Sequence, residues 1–229
     1  MPVRLRHKSY SSFTGYFPSD KNKLAIHYES TIERDLLFYL EFALDVISYE
    51  EQPMVIEYSI ENDFDKKGNI RIHFYIPDFR SNCKSGPKIY ECKPESKVDN
   101  EHSQGQIIAG ERWSKENVHE FILVTDKSLR TGNALYNQRL CWRYRNLEVP
   151  RLVVREILGH LHQAQISEFE EICDLIVSKF REYPIPHPFV YALIWQHLLA
   201  IDIQEKLSPT SQLWLTEKES TDVITSNTD

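Results

Sequence analysis

The sequence has no run of about 18 apolar residues, the length a helix needs to cross a bilayer, so no membrane span is expected. Its first residues, MPVRLRHKSYSSF, lack the apolar segment of a secretory signal, and none is expected there. It has no basic excess: 27 Lys and Arg stand against 34 Asp and Glu, which argues against a general nucleic-acid binder acting through charge alone. Its four cysteines, Cys83, Cys92, Cys141 and Cys173, form no CxxC pair, which argues against a zinc ribbon; reduced thiols in a cytoplasm are the expectation. P-loop, GxGxxG and GxSxG patterns are absent, so the common nucleotide and acyl-transfer motifs do not apply. Internal repeats and low-complexity tracts are also lacking. What remains is the composition of an ordinary globular protein, long enough for one large domain or one domain plus a small one.

Charge is unevenly spread. Residues 1–28 carry five Lys and Arg against Asp20, residues 127–155 carry seven against Glu148, and the stretches between and after them are acidic. The basic stretches suit phosphate contacts, although blocks of this size also occur as solvated faces. Residues 1–28 read as an irregular arm. Ile32, Leu36, Leu37 and Leu40 have helical spacing and predict a helix over 31–43. Val46 to Ile60 reads as one or two strands interrupted by Pro53. Ile70, Ile72, Phe74 and Ile76 alternate, which predicts a strand over 70–78. Further strands are expected at 88–93 and 119–125, and helices at 101–117 and 132–145. The order implies one α/β domain around a mixed sheet flanked by helices, residues 1–148. From Pro150 the pattern turns helical, at 151–162, 167–182 and 188–201. PIPHP forms a stiff connector, and LSPTSQLWL at 207–215 reads as a hairpin. This predicts a small winged-helix-like domain, 149–215, of a kind that often binds DNA, although its acidity suits a protein partner equally. The polar tail, 216–229, is expected to be disordered.

The stretch YIPDFRSNCKSGPKIYECKPE, residues 75–95, reads as two strands around a turn. It places Asp78 at the end of one strand and Glu91 and Lys93 two apart, hence on one face of the next. Ionised groups on a buried face are costly unless paired or metal-bound. Asp78 followed by Glu91-Cys92-Lys93 fits the pattern PD, spacer, ExK. Phosphodiester hydrolysis needs a divalent cation to polarise phosphate and generate hydroxide, and Mg²⁺ takes hard oxygen ligands. Asp78 and Glu91 could supply two and the Cys92 backbone carbonyl a third, with Lys93 near the attacking water. The competing account of Glu91 and Lys93 is an ion pair on an exposed strand, worth little. Glu33 shares the inward face of Leu36, Leu37 and Leu40 and is a candidate third carboxylate. Ser30 to Glu33 is equally a capping box, and Glu29 competes with Glu33 for the ligand role. His160 and His162 read as surface residues. His102, His119 and His187 have no partner at metal-ligand spacing in the sequence. Lys97 and Lys115 read as solvated, and the Cys92 side chain as packing. In CWRYRN, 141–146, Trp142 and Tyr144 are either backbone-contacting or core.

Several linked motifs together resemble the TnsA family of transposon endonucleases: YESTIERDLLFYLEFALDVISYEEQPMVIEYSI with its ES-x-x-E-x-D start and EQP turn, then YIPDF, IYECKP and FILVTDKSLR. The similarity runs from about Ser12 to Arg130; beyond it only the layout is similar. The resemblance implies a restriction-endonuclease-like fold with a PD-(D/E)xK site. It implies a Mg²⁺-dependent DNA endonuclease, with Mn²⁺ able to substitute. The family serves heteromeric cut-and-paste transposition, including CRISPR-associated elements, and cuts the 5′, non-transferred strands of double-stranded DNA at transposon ends. Its expected partners are a TnsB-like DDE transposase that cuts the 3′ ends and a TnsC-like AAA+ ATPase contacted through the C-terminal part. Carried over, the motif makes Glu33, Asp78 and Glu91 metal ligands, beside the Cys92 carbonyl, and Lys93 the catalytic lysine. Some family members carry Gln where this chain has Glu91.

Overall fold

The computed structural model describes residues 13–216, the side chains of 61 and 62 excepted. The chain divides into two compact units after Thr131. In the first, β1 (Gly15–Ser19) and β2 (Leu24–Tyr28) pair antiparallel. This corrects the irregular arm expected there: Phe17 and Ile26 face each other in register and both are buried. The short polar flanks concealed the alternation, and the rest of the expected arm, residues 1–12, lies outside the described residues. Helix α1 (Thr31–Phe42) starts at Ser30, whose hydroxyl accepts the Glu33 N–H, and buries Ile32, Leu36, Leu37 and Leu40 as its spacing predicts. It ends at Ala43, where the Lys21 ammonium donates to the carbonyls of Leu40, Ala43 and Val46. A cation there satisfies the carbonyls that a helix C-terminus leaves over and opposes its dipole.

Next in the chain come β3 (Val46–Glu51), then β4 (Ile56–Phe64) and β5 (Ile70–Tyr75), which pair only with each other. The strand expected over 70–78 is therefore shorter, ending at Tyr75, and a separate strand follows it where a turn was expected. Proline cannot donate to a ladder, and β5 stops before Pro77 while β6 (Phe79–Cys83) begins after it. The alternating Ile70, Ile72 and Phe74 are exposed. The opposite face of the β4–β5 ribbon carries the core contact, with Ile56, Tyr58 and Tyr75 packed against Ala109. Both faces of the ribbon are apolar, so alternation alone could not show which one would be covered. β7 (Gly86–Lys93), α2 (Glu101–Glu116), β8 (Glu120–Thr125) and α3 (Asp126–Arg130) complete the unit. The main sheet has the order β3-β6-β7-β8, antiparallel except for the parallel β7–β8 pair. It is a mixed sheet flanked by helices, of the restriction-endonuclease-like kind.

The second unit contains α4 (Ala134–Trp142), α5 (Arg151–Ala164), β9 (Ile166–Glu168), α6 (Phe169–Lys179), α7 (His187–Trp195), β10 (Leu199–Ala200) and β11 (Gln212–Leu215). Its boundary lies ahead of the one expected near 148, because α4 packs against α7. Instead of a hairpin confined to 207–215, β11 pairs with β10 on one side and β9 on the other. The connecting loop is held by fully buried Asn137, whose amide donates to the carbonyls of Ile203 and Glu205 at 2.9 and 2.7 Å and accepts the Leu207 N–H at 3.0 Å. Residues 217–229 of the expected tail lie outside the described residues. Among the described residues, no helix is long and apolar enough to cross a membrane.

Candidate active site

The central strand β7 brings the candidate residues together. Glu91 lies on it between β6 and β8 and is 2 % exposed. Lys93, on the same face, places Nζ 2.5 Å from Glu91 Oε1. Burial at this level rules out an exposed-strand ion pair as the account of these two residues. Asp78 is fixed from three directions. Its N–H donates to the Tyr90 carbonyl at 3.1 Å, its carbonyl accepts the Gln52 N–H at 2.8 Å, and its Oδ2 accepts the Cys92 N–H at 2.7 Å. Gln52 adopts φ 47°, a left-handed conformation that a residue with a side chain seldom takes. The strained turn at Gln52-Pro53 thus presents the N–H that holds Asp78. Glu33 comes from the first turn of α1, a helix packed against β7 and β8. The Ser30 half of the capping box forms, while Glu33 Oε2 accepts the N–H of Glu29 at 2.7 Å. The Glu29 backbone thus engages the Glu33 carboxylate directly.

The electrostatics place these groups in one desolvated corner. Burial, then the Glu91 charge, then the Glu33 charge push the Asp78 carboxyl well above the usual carboxylate range. Burial also raises Glu91, against the pull of Lys93. Burial, then Asp78, Glu33 and Glu91, hold the Cys92 thiol neutral, so it packs rather than attacks. Tyr75 faces Glu91, and burial and that negative charge raise its phenol. Among the described residues, the Tyr75 hydroxyl and Glu91 Oε2 have no partner other than each other. A buried carboxylate oxygen met by no more than one neutral hydroxyl is an acceptor that a cation would satisfy. The donors are hard oxygens, which fits an ion of the Mg²⁺ or Mn²⁺ class. The three carboxylates do not bring one oxygen each to within 4.8 Å of one another; among the described residues, the set that does is Glu170, Cys173 and His187.

Two carboxylates to which the sequence reading gave no role of their own fix α1. Asp35 is 1 % exposed and is held by Arg34 at 2.9 Å and Arg130 at 3.0 Å. Glu41 is buried and accepts from the Ser19 hydroxyl, the N–H groups of Asp20 and Lys21, and the Tyr49 hydroxyl, the last at 2.6 Å. The available signal was a charged residue on the apolar stripe, since Glu41 follows Leu37 by four positions. The remaining candidates lie elsewhere. His160 bonds Ser167 at 3.1 Å, and His162 has a buried ring nitrogen, Nε2, without a partner, so this is not a surface pair. His119 packs on Trp113, and His102, Lys97 and Lys115 are exposed. Tyr144 packs on Tyr191, and Arg145 lies over Trp142.

Residues 44–126 match the family described as TnsA-like endonuclease N terminal. The matched segment holds Asp78, Glu91, Cys92 and Lys93 and leaves Glu33 outside it. No curated protein matches the chain.

Proposed function

From the TnsA-type endonuclease domain that this chain carries, which marks a transposon-associated nuclease, we propose a metal-dependent DNA endonuclease that cuts the 5′, non-transferred strands at transposon ends. On this reading it works beside a TnsB-like transposase and a TnsC-like AAA+ ATPase, in an element that is CRISPR-associated or not. The supporting observation is the pairing of a backbone-clamped Asp78 with buried Glu91, which Lys93 engages at one oxygen. Asp78, Glu91, Glu33 and the Cys92 carbonyl would hold Mg²⁺ or Mn²⁺, which supplies Lewis acidity and a hydroxide nucleophile when bound.

The chain's own part is positional. The Cys92 N–H and the Gln52 turn keep the Asp78 carboxylate in one orientation, so no reorganisation is needed when the scissile phosphate arrives. The Lys93 ammonium, in reach of the same corner, orients the attacking water and stabilises charge developing on the phosphate. Exposed Lys127, Arg143, Arg151 and Arg155 in the basic stretch make backbone phosphate contacts. The second unit, with two helices, a strand, two more helices and two further strands, its sheet ordered β10-β11-β9, is read as a winged helix that serves the partner proteins.

The test is strand-resolved cleavage of a donor plasmid bearing the transposon ends, with Mg²⁺, the element's transposase and its ATPase. Wild-type chain is expected to give 5′ cuts that vanish with chelator and with Asp78→Asn, while the 3′ cuts persist in the Asp78→Asn reaction. If 5′ cuts are unchanged by Asp78→Asn, or absent with wild type despite normal 3′ cuts, the nuclease reading is wrong and the chain is an assembly factor. Sequence-independent cutting by the chain alone would instead indicate a stand-alone nuclease.

A further inference from the structure

The second unit holds a donor set of different chemistry. Glu170 and Cys173 lie three apart on α6, hence on one face. His187 opens α7, between Pro186 and Pro188, so the stiff PIPHP connector sets its backbone. Its ring lies 5.6 Å from that of Phe169, which fixes it from one side. A carboxylate oxygen of Glu170, Sγ of Cys173 and a ring nitrogen of His187 all lie within 4.8 Å of one another. His187 Nε2 is 3.7 Å from Glu170 Oε2. Zinc bonds of roughly 2.0–2.3 Å in a tetrahedron put neighbouring ligand atoms about 3.3–3.6 Å apart. The observed spacing is therefore within a small side-chain adjustment of a coordination shell.

We propose that Glu170, Cys173 and His187 bind one zinc-class divalent cation that clamps α6 to α7, separately from the nuclease site. A sulfur and an imidazole nitrogen select a soft or borderline ion over Mg²⁺. The set would therefore stay free of the ion expected at the carboxylates of the first unit. Cys173 is buried while Glu170 and His187 are half-exposed, so the fourth position opens toward solvent and takes a water. Binding displaces the Cys173 thiol proton to solvent and forms a sulfur–metal bond, with no change of oxidation state. The ordinary alternative is a core cysteine beside a surface His–Glu pair. Sequence spacing did not reveal the set, because His187 is 14 positions from Cys173 and meets it only through the fold of α6 on α7.

The decisive experiment is Co²⁺ titration of the full-length chain, stripped with chelator, followed by Zn²⁺ displacement. Wild type is expected to take up one Co²⁺ with a thiolate-to-metal charge-transfer band and the visible bands of tetrahedral cobalt. Cys173→Ser should abolish the charge-transfer band. Asp78→Asn should leave it unchanged, which separates this site from the nuclease site. His187→Gln, at a half-exposed position where folding is not at stake, should weaken Co²⁺ binding at least tenfold. It should also abolish the rise in thermal midpoint that Zn²⁺ produces in the wild type. No charge-transfer band in the wild type, a band that survives Cys173→Ser, or equal Zn²⁺ stabilisation of wild type and His187→Gln would each overturn the proposal.

Discussion

At Asp78, the feature that suits it to a cation also makes it costly without one. Its carboxyl is raised by burial and by two neighbouring carboxylates, whereas an unfolded Asp titrates near about 3.9. The folded state therefore holds the proton over a pH range in which the unfolded state has lost it. The resulting stability is full below about pH 4 and is lost as pH rises through the raised value. Each unit of such a shift corresponds to about 1.4 kcal/mol. In the presence of chelator at pH 7, Asp78→Asn is thus expected to unfold at higher urea than wild type, because the amide oxygen still accepts the Cys92 N–H. The gap should narrow toward pH 5; a gap that stays constant with pH would mean the carboxyl is not the cause. The residue types and spacing of Asp78, Glu91 and Lys93 were legible because a strand repeats every two residues, and that period places Glu91 beside Lys93 whatever surrounds them. Glu33 was ambiguous for a matching reason: its spacing favoured a cap over a site, and only the packing of α1 on β7 brought it near Asp78.

At the level of elements, α1 is held by charges rather than by its apolar stripe alone. Arg130→Ala removes one of the two arginines that, among the described residues, hold buried Asp35, and leaves Arg34. Removing one partner of a buried ion pair costs roughly 3–5 kcal/mol, and Arg34 compensates in part. The expected loss is about 2–3 kcal/mol in urea denaturation. In Asp35→Asn/Arg130→Ala the two effects should combine to less than their sum, because both act on one contact. α2 crosses β8 at Gly110, where an added Cβ would lie 2.4 Å from a ring carbon of Phe121. Overpacking of this kind costs about 1–3 kcal/mol, so Gly110→Ala should lower the thermal midpoint, and an unchanged midpoint would show that Phe121 yields freely. Helix α1 was readable because its apolar residues repeat at 3.6. The β1–β2 hairpin was not, because only Phe17 and Ile26 mark its buried face. The β4–β5 ribbon misled through its exposed Ile70, Ile72 and Phe74, since an apolar row identifies a face but not what covers it.

For the molecule as a whole, the division after Thr131 carries its own expectation. A fragment of residues 132–216 should unfold cooperatively by circular dichroism, because it keeps α4 against α7 and the Asn137 anchor of the β10–β11 loop. A fragment beginning at Val149 lacks both and should lose the transition or shift it well down; equal transitions would restore a boundary near residue 148. The sequence by itself determined the chemistry on offer: the PD and ExK residues, the helix before them, the mixed α/β order and the helical character after Pro150. Those features follow from local periods and residue types, which are properties of a few neighbouring positions. Only the tertiary structure decided that Glu33 lies near Asp78, that Asp35 and Glu41 anchor α1, and that α4 belongs to the second unit. It also decided that Glu170, Cys173 and His187 converge. Each of these depends on which face an element presents to another far away in the chain, and burial and charge pairing set that only once the whole fold has formed.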